Sequence, residues 1–308
     1  MSADDPGDAD RLDDPDDADR LDDPVVTRVE VPVDTRAPDG TTNAYVLDGL
    51  LVDPAARTDA LDAAVAERGS SPSGGPADAL AAPSVEAIAV THAHPDHVGA
   101  VADYAALTGA TVVAREGHAD RFAAAAGIAP DETVAPGETV ADTAVRAVDT
   151  PGHAPDHVAF AAGGPEAGGP PERSSRAVLC CGDLAVAEGS VAVAAPEGDL
   201  AAYLASLERV RDAGYDRLLP GHGPAIDDPA ATCRRLIEHR IARERDVIAA
   251  IDGGAADLDA VVDGAYEKDL SGVRDLALAT VAAHVEKLVT EGRVEGAWRA
   301  RLADRGFE

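Results

Sequence analysis

Short apolar runs alternate with polar turns, most of them glycine-bearing, along most of the chain. Val25 to Asp34 alternates as a strand, and Asn43–Leu47 and Leu50–Asp53 read as two more joined by Asp48-Gly49. Ala60 to Arg68 has helical spacing, and Ser70 to Pro76 is a Gly/Ser/Pro loop. Ala77 to Leu80 leads into Val85–Val90, whose apolar run predicts a buried strand. Helices are expected at 100–107 and 119–127, with a strand at 110–114 between them. Short strands follow over 134–149, with a turn at Gly137. Gly163 to Ser175 reads as a flexible loop, Arg176 to Cys181 as a strand, and Asp199 to Ala213 as a helix with Leu204, Leu207 and Val210 on one face. Tyr215 to Leu219 closes this part as a strand.

Beyond it the period changes. Leu236–Ile251, Leu258–Tyr266 and Val273–Glu291 predict three helices, and Gly292 stops the last. Arg293-Val294-Glu295 and Trp298-Arg299-Ala300 are read as a small hairpin. Three helices and a hairpin make a winged-helix-like domain the expectation for 233–308, after a main domain over 25–232. Residues 1–24 hold 11 Asp and two Arg and repeat the octet Asp-Ala-Asp-Arg-Leu-Asp-Asp-Pro. Such a segment cannot bury enough apolar surface to offset its ordering entropy, and disorder is expected.

The turns carry the candidate chemistry. His92, His94, Asp96 and His97 fall within six residues directly after the 85–90 strand. Packing gives no reason to crowd three imidazoles and a carboxylate on one turn, whereas a metal ion does. A second turn, Asp149-Thr150-Pro151-Gly152-His153-Ala154-Pro155-Asp156-His157, repeats the pattern. Asp183 after Gly182, and His222 within Pro220-Gly221-His222-Gly223-Pro224, end two further strands. Seven ligand-type side chains at strand ends are what a two-metal site needs, and imidazole with carboxylate suits zinc, with manganese or iron as alternatives. His157 is expected to contact substrate or to support the site from behind, and Asp53 either to face the site or to serve its turn. His118, His239 and His284 are read as non-catalytic.

Composition bounds the setting. The 308 residues carry a net charge of −31, and only Lys268 and Lys287 of the 26 basic residues are lysines. Acid excess with Arg over Lys reads as adaptation to high intracellular salt, where a dense negative surface keeps a protein soluble. Residues 233–308 contain 12 basic and 15 acidic residues, so nearly all the net charge lies before them. Cys180, Cys181 and Cys233 form no disulfide framework, which fits a reducing compartment. No apolar run has transmembrane length and the acidic N-terminus has no signal-peptide pattern, so a cytoplasmic protein without a membrane partner is expected.

Thr91–His97 matches the HxHxDH signature of the metallo-beta-lactamase fold superfamily, with His153, Asp183 and His222 at its remaining ligand positions in order. The tail, with His239-Arg240, Arg243-Glu244 and Ala283-His284-Val285-Glu286-Lys287-Leu288, resembles the lactamase-beta-like protein 2 subfamily. The resemblance implies an α+β fold, an αββα sandwich with metals at one edge and a small winged-helix domain behind it. It places His92, His94 and His153 on one metal, Asp96, His97 and His222 on a second, and Asp183 between them. Two such cations lower the pKa of a shared water to near neutrality, giving a metal-bound hydroxide as nucleophile, with Asp96 placed to orient it. Some members of the subfamily are endoribonucleases, so a phosphodiesterase acting on single-stranded RNA is the first expectation. A thioester hydrolase of the hydroxyacylglutathione hydrolase (glyoxalase II) type shares the seven ligands and is the alternative. It usually grips its thiol with basic and Tyr residues on a helical tail, for which no clear equivalent stands out here. A non-catalytic, metal-stabilised binding module is the third reading. The substrate is therefore expected to be a small ester or thioester or single-stranded RNA, and the tail is also a candidate homodimer contact.

Overall fold

A computed structural model describes residues 26–35, 37–66, 85–163, 176–267 and 269–307. The expected N-terminal disorder, the 70–76 loop, the 77–80 segment and most of the 163–175 loop lie outside the described residues.

Two sheets face each other. The first runs β1 (Val26–Pro32), β2 (Thr41–Leu47), β3 (Leu50–Val52), β4 (Ala87–Ala89), β5 (Thr111–Arg115) and β6 (Glu132–Val134), in spatial order. Its β1–β3 are antiparallel, and β3–β6 are parallel. The turn joining β2 to β3 has positive φ at both Asp48 (44°) and Gly49 (86°), the mirror-image turn whose twist suits a hairpin. The second sheet is ordered β10 (Arg217–Pro220), β9 (Val178–Gly182), β8 (Val158–Ala162), β7 (Arg146–Asp149). The strand β8 is not legible from the sequence pattern. Its Val-Ala-Phe-Ala-Ala is buried throughout, so it shows no alternation.

Between the sheets, Tyr45, Leu47, Leu50, Val52 and Val113 pack against Val158, Phe160, Val178, Cys180 and Leu219. Outside the first sheet lie α1 (Asp59–Ala66), α2 (Pro95–Val98), α3 (Val101–Thr108) and α4 (Ala119–Ala126), with Leu61, Val65, Val101, Tyr104 and Phe122 buried on it. Outside the second lie α5 (Leu200–Asp212) and α6 (Pro229–Asp252). The layers are αββα, and all three cysteines are buried and free. No helix among the described residues is long and apolar enough to cross a membrane.

The C-terminal part corrects one expectation. The helices α6, α7 (Leu258–Ala265) and α8 (Arg274–Thr290) form as read, but the hairpin does not. Residues 293–297 are a turn and Trp298–Ala303 is a short helix, α9, whose Trp298 and Leu302 are buried against α8's cluster. A tryptophan and a leucine four residues apart satisfy a one-turn helix as well as a strand, and burial decides between them. The helix α6 also begins seven residues earlier than expected and runs unbroken through position 233. Its first half buries Cys233, Leu236 and Ile237 under the second sheet, while Val247 belongs to the C-terminal cluster.

Candidate metal centre

The topology aims five strand ends at one edge. β3 and β4 are parallel neighbours, and β7, β9 and β10 run the same way because β8 is antiparallel to both β7 and β9. Their C-terminal ends carry Asp53, the 91–97 turn, His153, Asp183 and His222. Thr91 O accepts from Val158 N at 2.8 Å, which ties the turn after β4 to the start of β8 in the facing sheet.

Within that edge, His92 Nε2, His94 Nδ1 and His153 Nε2 converge at 2.9–3.2 Å from one another. Asp96, His97 and His222 form a second group, and His92, His97 and Asp183 a third. Each could hold a metal ion. Asp183 lies between the first two. Its Oδ2 is 3.6 Å from His153 Nε2, and its Oδ1 is 3.4 Å from His222 Nε2 and 3.8 Å from His97 Nε2. His222 Nε2 is 3.6 Å from Asp96 Oδ2. All seven expected ligand positions therefore meet at one place.

The outward nitrogens are anchored. His153 Nδ1 donates to Ala192 O at 2.7 Å, and His222 Nδ1 to Thr41 O at 2.8 Å, which fixes Nε2 as the free lone pair in each. His97 Nδ1 is 2.9 Å from Asp53 Oδ2, and His94 Nε2 is 3.0 Å from Glu197 Oε2. The inward atoms His97 Nε2, His222 Nε2 and Asp183 Oδ1 are buried without a hydrogen-bond partner. A donor set with its outer atoms satisfied and its inner atoms bare fits a cation. Two glycines keep the space open. A Cβ on Gly221 would stand 2.7 Å from Asp183 Oδ1 and 2.8 Å from His97 Cε1. One on Gly182, whose φ is +47°, would strike the Thr91 side chain.

Electrostatics follow the crowding. Burial, then the neighbouring imidazoles His97, His153 and His94, press the His92 pKa well down. Burial also opposes charge on His97, but the Asp53, Asp183 and Asp96 carboxylates outweigh it and raise its pKa to about 9. Burial works against the Asp183 carboxylate, yet His222, His153 and His97 together hold it well below the usual carboxylate range. An anionic carboxylate among imidazoles is the state a cation requires.

Asp53 and His157 sit behind this layer. Asp53 is fully buried at φ +51° and accepts from Thr91 N at 2.6 Å and Thr91 Oγ1 at 2.8 Å, besides contacting His97. His157 is fully buried. Its Nδ1 donates to Thr150 O at 2.8 Å and its Nε2 accepts from Asp183 N at 3.2 Å. Both nitrogens are used inside the protein, and burial drops its pKa to about 3. His157 orients the Asp183 backbone.

Four supporting residues are not among the expected site members. Asp156 accepts from Ala93 N at 2.8 Å and from Arg121 Nε at 2.9 Å. Arg121 also holds Glu197 through two bonds of 2.8 and 2.9 Å. Asn43 Nδ2 donates to Pro220 O and Gly223 O at 2.9 and 2.8 Å, bracing the His222 turn from β2. Asp156, three residues after His153, stands in a stretch that invites attention; Arg121, Glu197 and Asn43 stand in stretches that look like ordinary helix, loop and strand.

The centre opens into a cleft of about 860 Å³. His94, Asp96, His153, Asp183 and His222 line its floor.

A family model for the metallo-beta-lactamase superfamily matches residues 37–222. The chain belongs to that superfamily. As a member it is a metal-dependent hydrolase. It is 28% identical over 225 residues to Beta-lactamase-like protein 2 homolog of Drosophila melanogaster, covering 68% of this chain and 70% of that protein. It is 33% identical over 172 residues to thioesterase pkgB of Emericella nidulans, covering 54% of this chain and 42% of that one. A metallo-beta-lactamase family protein from Thermus thermophilus has the same fold, with a TM-score of 0.64 and 24% identity over 88% of this chain and 95% of the other.

Proposed function

We propose that this superfamily member hydrolyses a thioester or ester with an apolar acyl group, using two divalent cations, zinc for preference. His92, His94 and His153 would hold the first, Asp96, His97 and His222 the second, with Asp183 shared. The bound pair would supply Lewis acidity and an activated water. The chain's own part is positional. Asp53, Glu197 and the backbone oxygens of Ala192 and Thr41 fix the imidazole rings, and Asp96, open to the cleft, orients the attacking water. Water adds to the acyl carbon, the carbon–sulfur (or carbon–oxygen) bond breaks, and the thiolate (or alkoxide) leaves with the water's proton, giving carboxylic acid and thiol or alcohol.

The observation that carries this reading is the lining of the cleft. Among the described residues it contains no Lys or Arg, while Asp39, Glu188 and Glu197 stand around it and Pro38, Val186, Val191, Pro196, Pro224 and Leu276 supply apolar walls. A phosphodiester backbone needs a basic path. Several of the tail's cations are neutralised within it. Arg274 pairs with Asp259 and Asp263, Lys287 and Arg293 with Glu244 and Glu291, and Arg305 with Asp259. Single-stranded RNA, expected first from the subfamily resemblance, is therefore the weaker reading. The similarity to a thioesterase over half the chain agrees with the acyl one.

The test is a parallel assay of the purified protein in molar salt, with metal content measured on the same sample. Acyl-thioesters, a single-stranded RNA and a phosphodiester reporter are compared. Thioester turnover that vanishes in Asp96→Ala and His97→Ala is expected. RNA cleavage without thioester turnover in the two-metal protein would overturn the proposal.

A further inference from the structure

One wall of the cleft is a loop that the C-terminal helices hold in place. The 186–197 loop forms most of it. Arg235 of α6 donates to the carbonyls of Val186, Ala187 and Gly189 at 2.7, 3.1 and 2.6 Å, and the buried Arg240 donates to Val191 O. Ala195 N donates to Ala279 O of α8 at 3.0 Å, and Ala195 packs within the helices' own apolar cluster. One turn before Ala279, Leu276 completes the wall and is 40% exposed, and Val273, a further turn back, is 45% exposed. A loop clamped by guanidinium groups and docked on a helix is a pre-formed surface, so binding to it costs little ordering.

Resting on the acyl-hydrolase reading above, we infer that Leu276 of α8, with Val191, Ala194 and Pro196, forms a subsite for the substrate's acyl chain, so that the C-terminal helices set chain-length preference. The chain it takes is apolar and uncharged at its far end. Two features fix that class. Among the described residues the cleft lining offers no Lys or Arg for a terminal group, and Asp39 and Glu188 in it repel a second carboxylate. Half-thioesters of dicarboxylic acids are excluded on the same ground.

The experiment is a series of acyl-thioesters of one neutral thiol, from acetyl to octanoyl plus succinyl, assayed with the metal-loaded full chain in molar salt. Burial of each added methylene raises kcat/KM by roughly fourfold until the wall is filled. Succinyl falls below butanoyl. In Leu276→Trp, which fills the subsite, the octanoyl-to-acetyl ratio of kcat/KM falls at least tenfold, while Leu276→Met keeps it. Leu276 is half in solvent, so both variants fold, as an unchanged melting temperature checks. A wild-type profile flat from acetyl to octanoyl, or a ratio unmoved by Leu276→Trp, overturns the subsite and leaves the hydrolase reading standing. No turnover of any thioester by the two-metal protein overturns both.

Discussion

The molecule buries histidine in two places and treats it in opposite ways. At the sheet edge, each outer imidazole nitrogen is anchored and inner nitrogens face each other and Asp183. On α8, His284 is fully buried and neither nitrogen has a hydrogen-bond partner among the described residues. Burial, with Arg240, Arg243 and Lys287 nearby, lowers its pKa to about 3. A bare nitrogen is thus not in itself a sign of coordination. What distinguishes the metal centre is convergence, an anchored far nitrogen, and a carboxylate to balance the ion. His284 has none of these, and cations already surround it.

The sharpest way to break this comparison is to remove the shared carboxylate. Asp183→Ala should cut turnover at least about 10³-fold, the scale of the charge stabilisation a metal pair supplies. It should also lower the bound-metal count measured by mass spectrometry of the native protein. His284→Leu should leave that count unchanged. A drop in metal content with His284→Leu would erase the distinction between the two histidine sites.

Asp53→Asn is next. It keeps the shape but weakens the partner of His97, and a loss of about 10- to 100-fold in metal affinity is expected. Competition with a chromophoric chelator measures it. The Glu197→Gln change should cost less than about tenfold by the same assay, because Glu197 is partly exposed and its contact is softened by solvent and salt.

The smallest effect belongs to His284. Its folded pKa lies below the ordinary value near 6.5, so the unfolded chain binds the proton more readily. Its contribution to stability is complete above about pH 6.5 and is lost as pH falls toward about 3. His284→Leu should shift the acid-unfolding midpoint to lower pH and, by removing a desolvated polar group, raise stability at pH 7 by on the order of 1 kcal/mol. Circular dichroism across pH reads both. Identical acid midpoints for the two proteins would show that His284 is hydrated in the native state.

Much of the fold is legible in the sequence because its strands are short apolar runs punctuated by Gly, Pro and Asp, and some of its helices have an Asp cap. Asp199 accepts from Ala202 N where α5 is expected to begin, whereas Asp228, which caps α6 through Ala231 N, lies ahead of the start at 236 that the apolar spacing predicts. β8 escapes such a reading because full burial removes the alternation that marks a strand. The stretch 293–300 misleads it because a few residues around one apolar pair, Trp298 and Leu302, do not separate a short helix from a short strand. The metal-ligand candidates are legible since imidazole and carboxylate have few other reasons to gather at strand ends. Arg121, Glu197 and Asn43 are not, for nothing near them in sequence says what they will face.

The chain alone, then, determined the local chemistry: which turns carry metal-binding groups, where most of the elements lie, and that the stretch from 236 to 291 is largely helical. Local composition and period are enough for that, being properties of adjacent residues. Only the tertiary structure decided that five strand ends share one edge, that His157 is buried with its Nε2 on the Asp183 backbone, and that Leu276 of the tail joins the 186–197 loop in lining the cleft. Those are relations between residues tens to hundreds of positions apart, and the packing of two sheets and a helical layer, not any one segment's preference, fixes them.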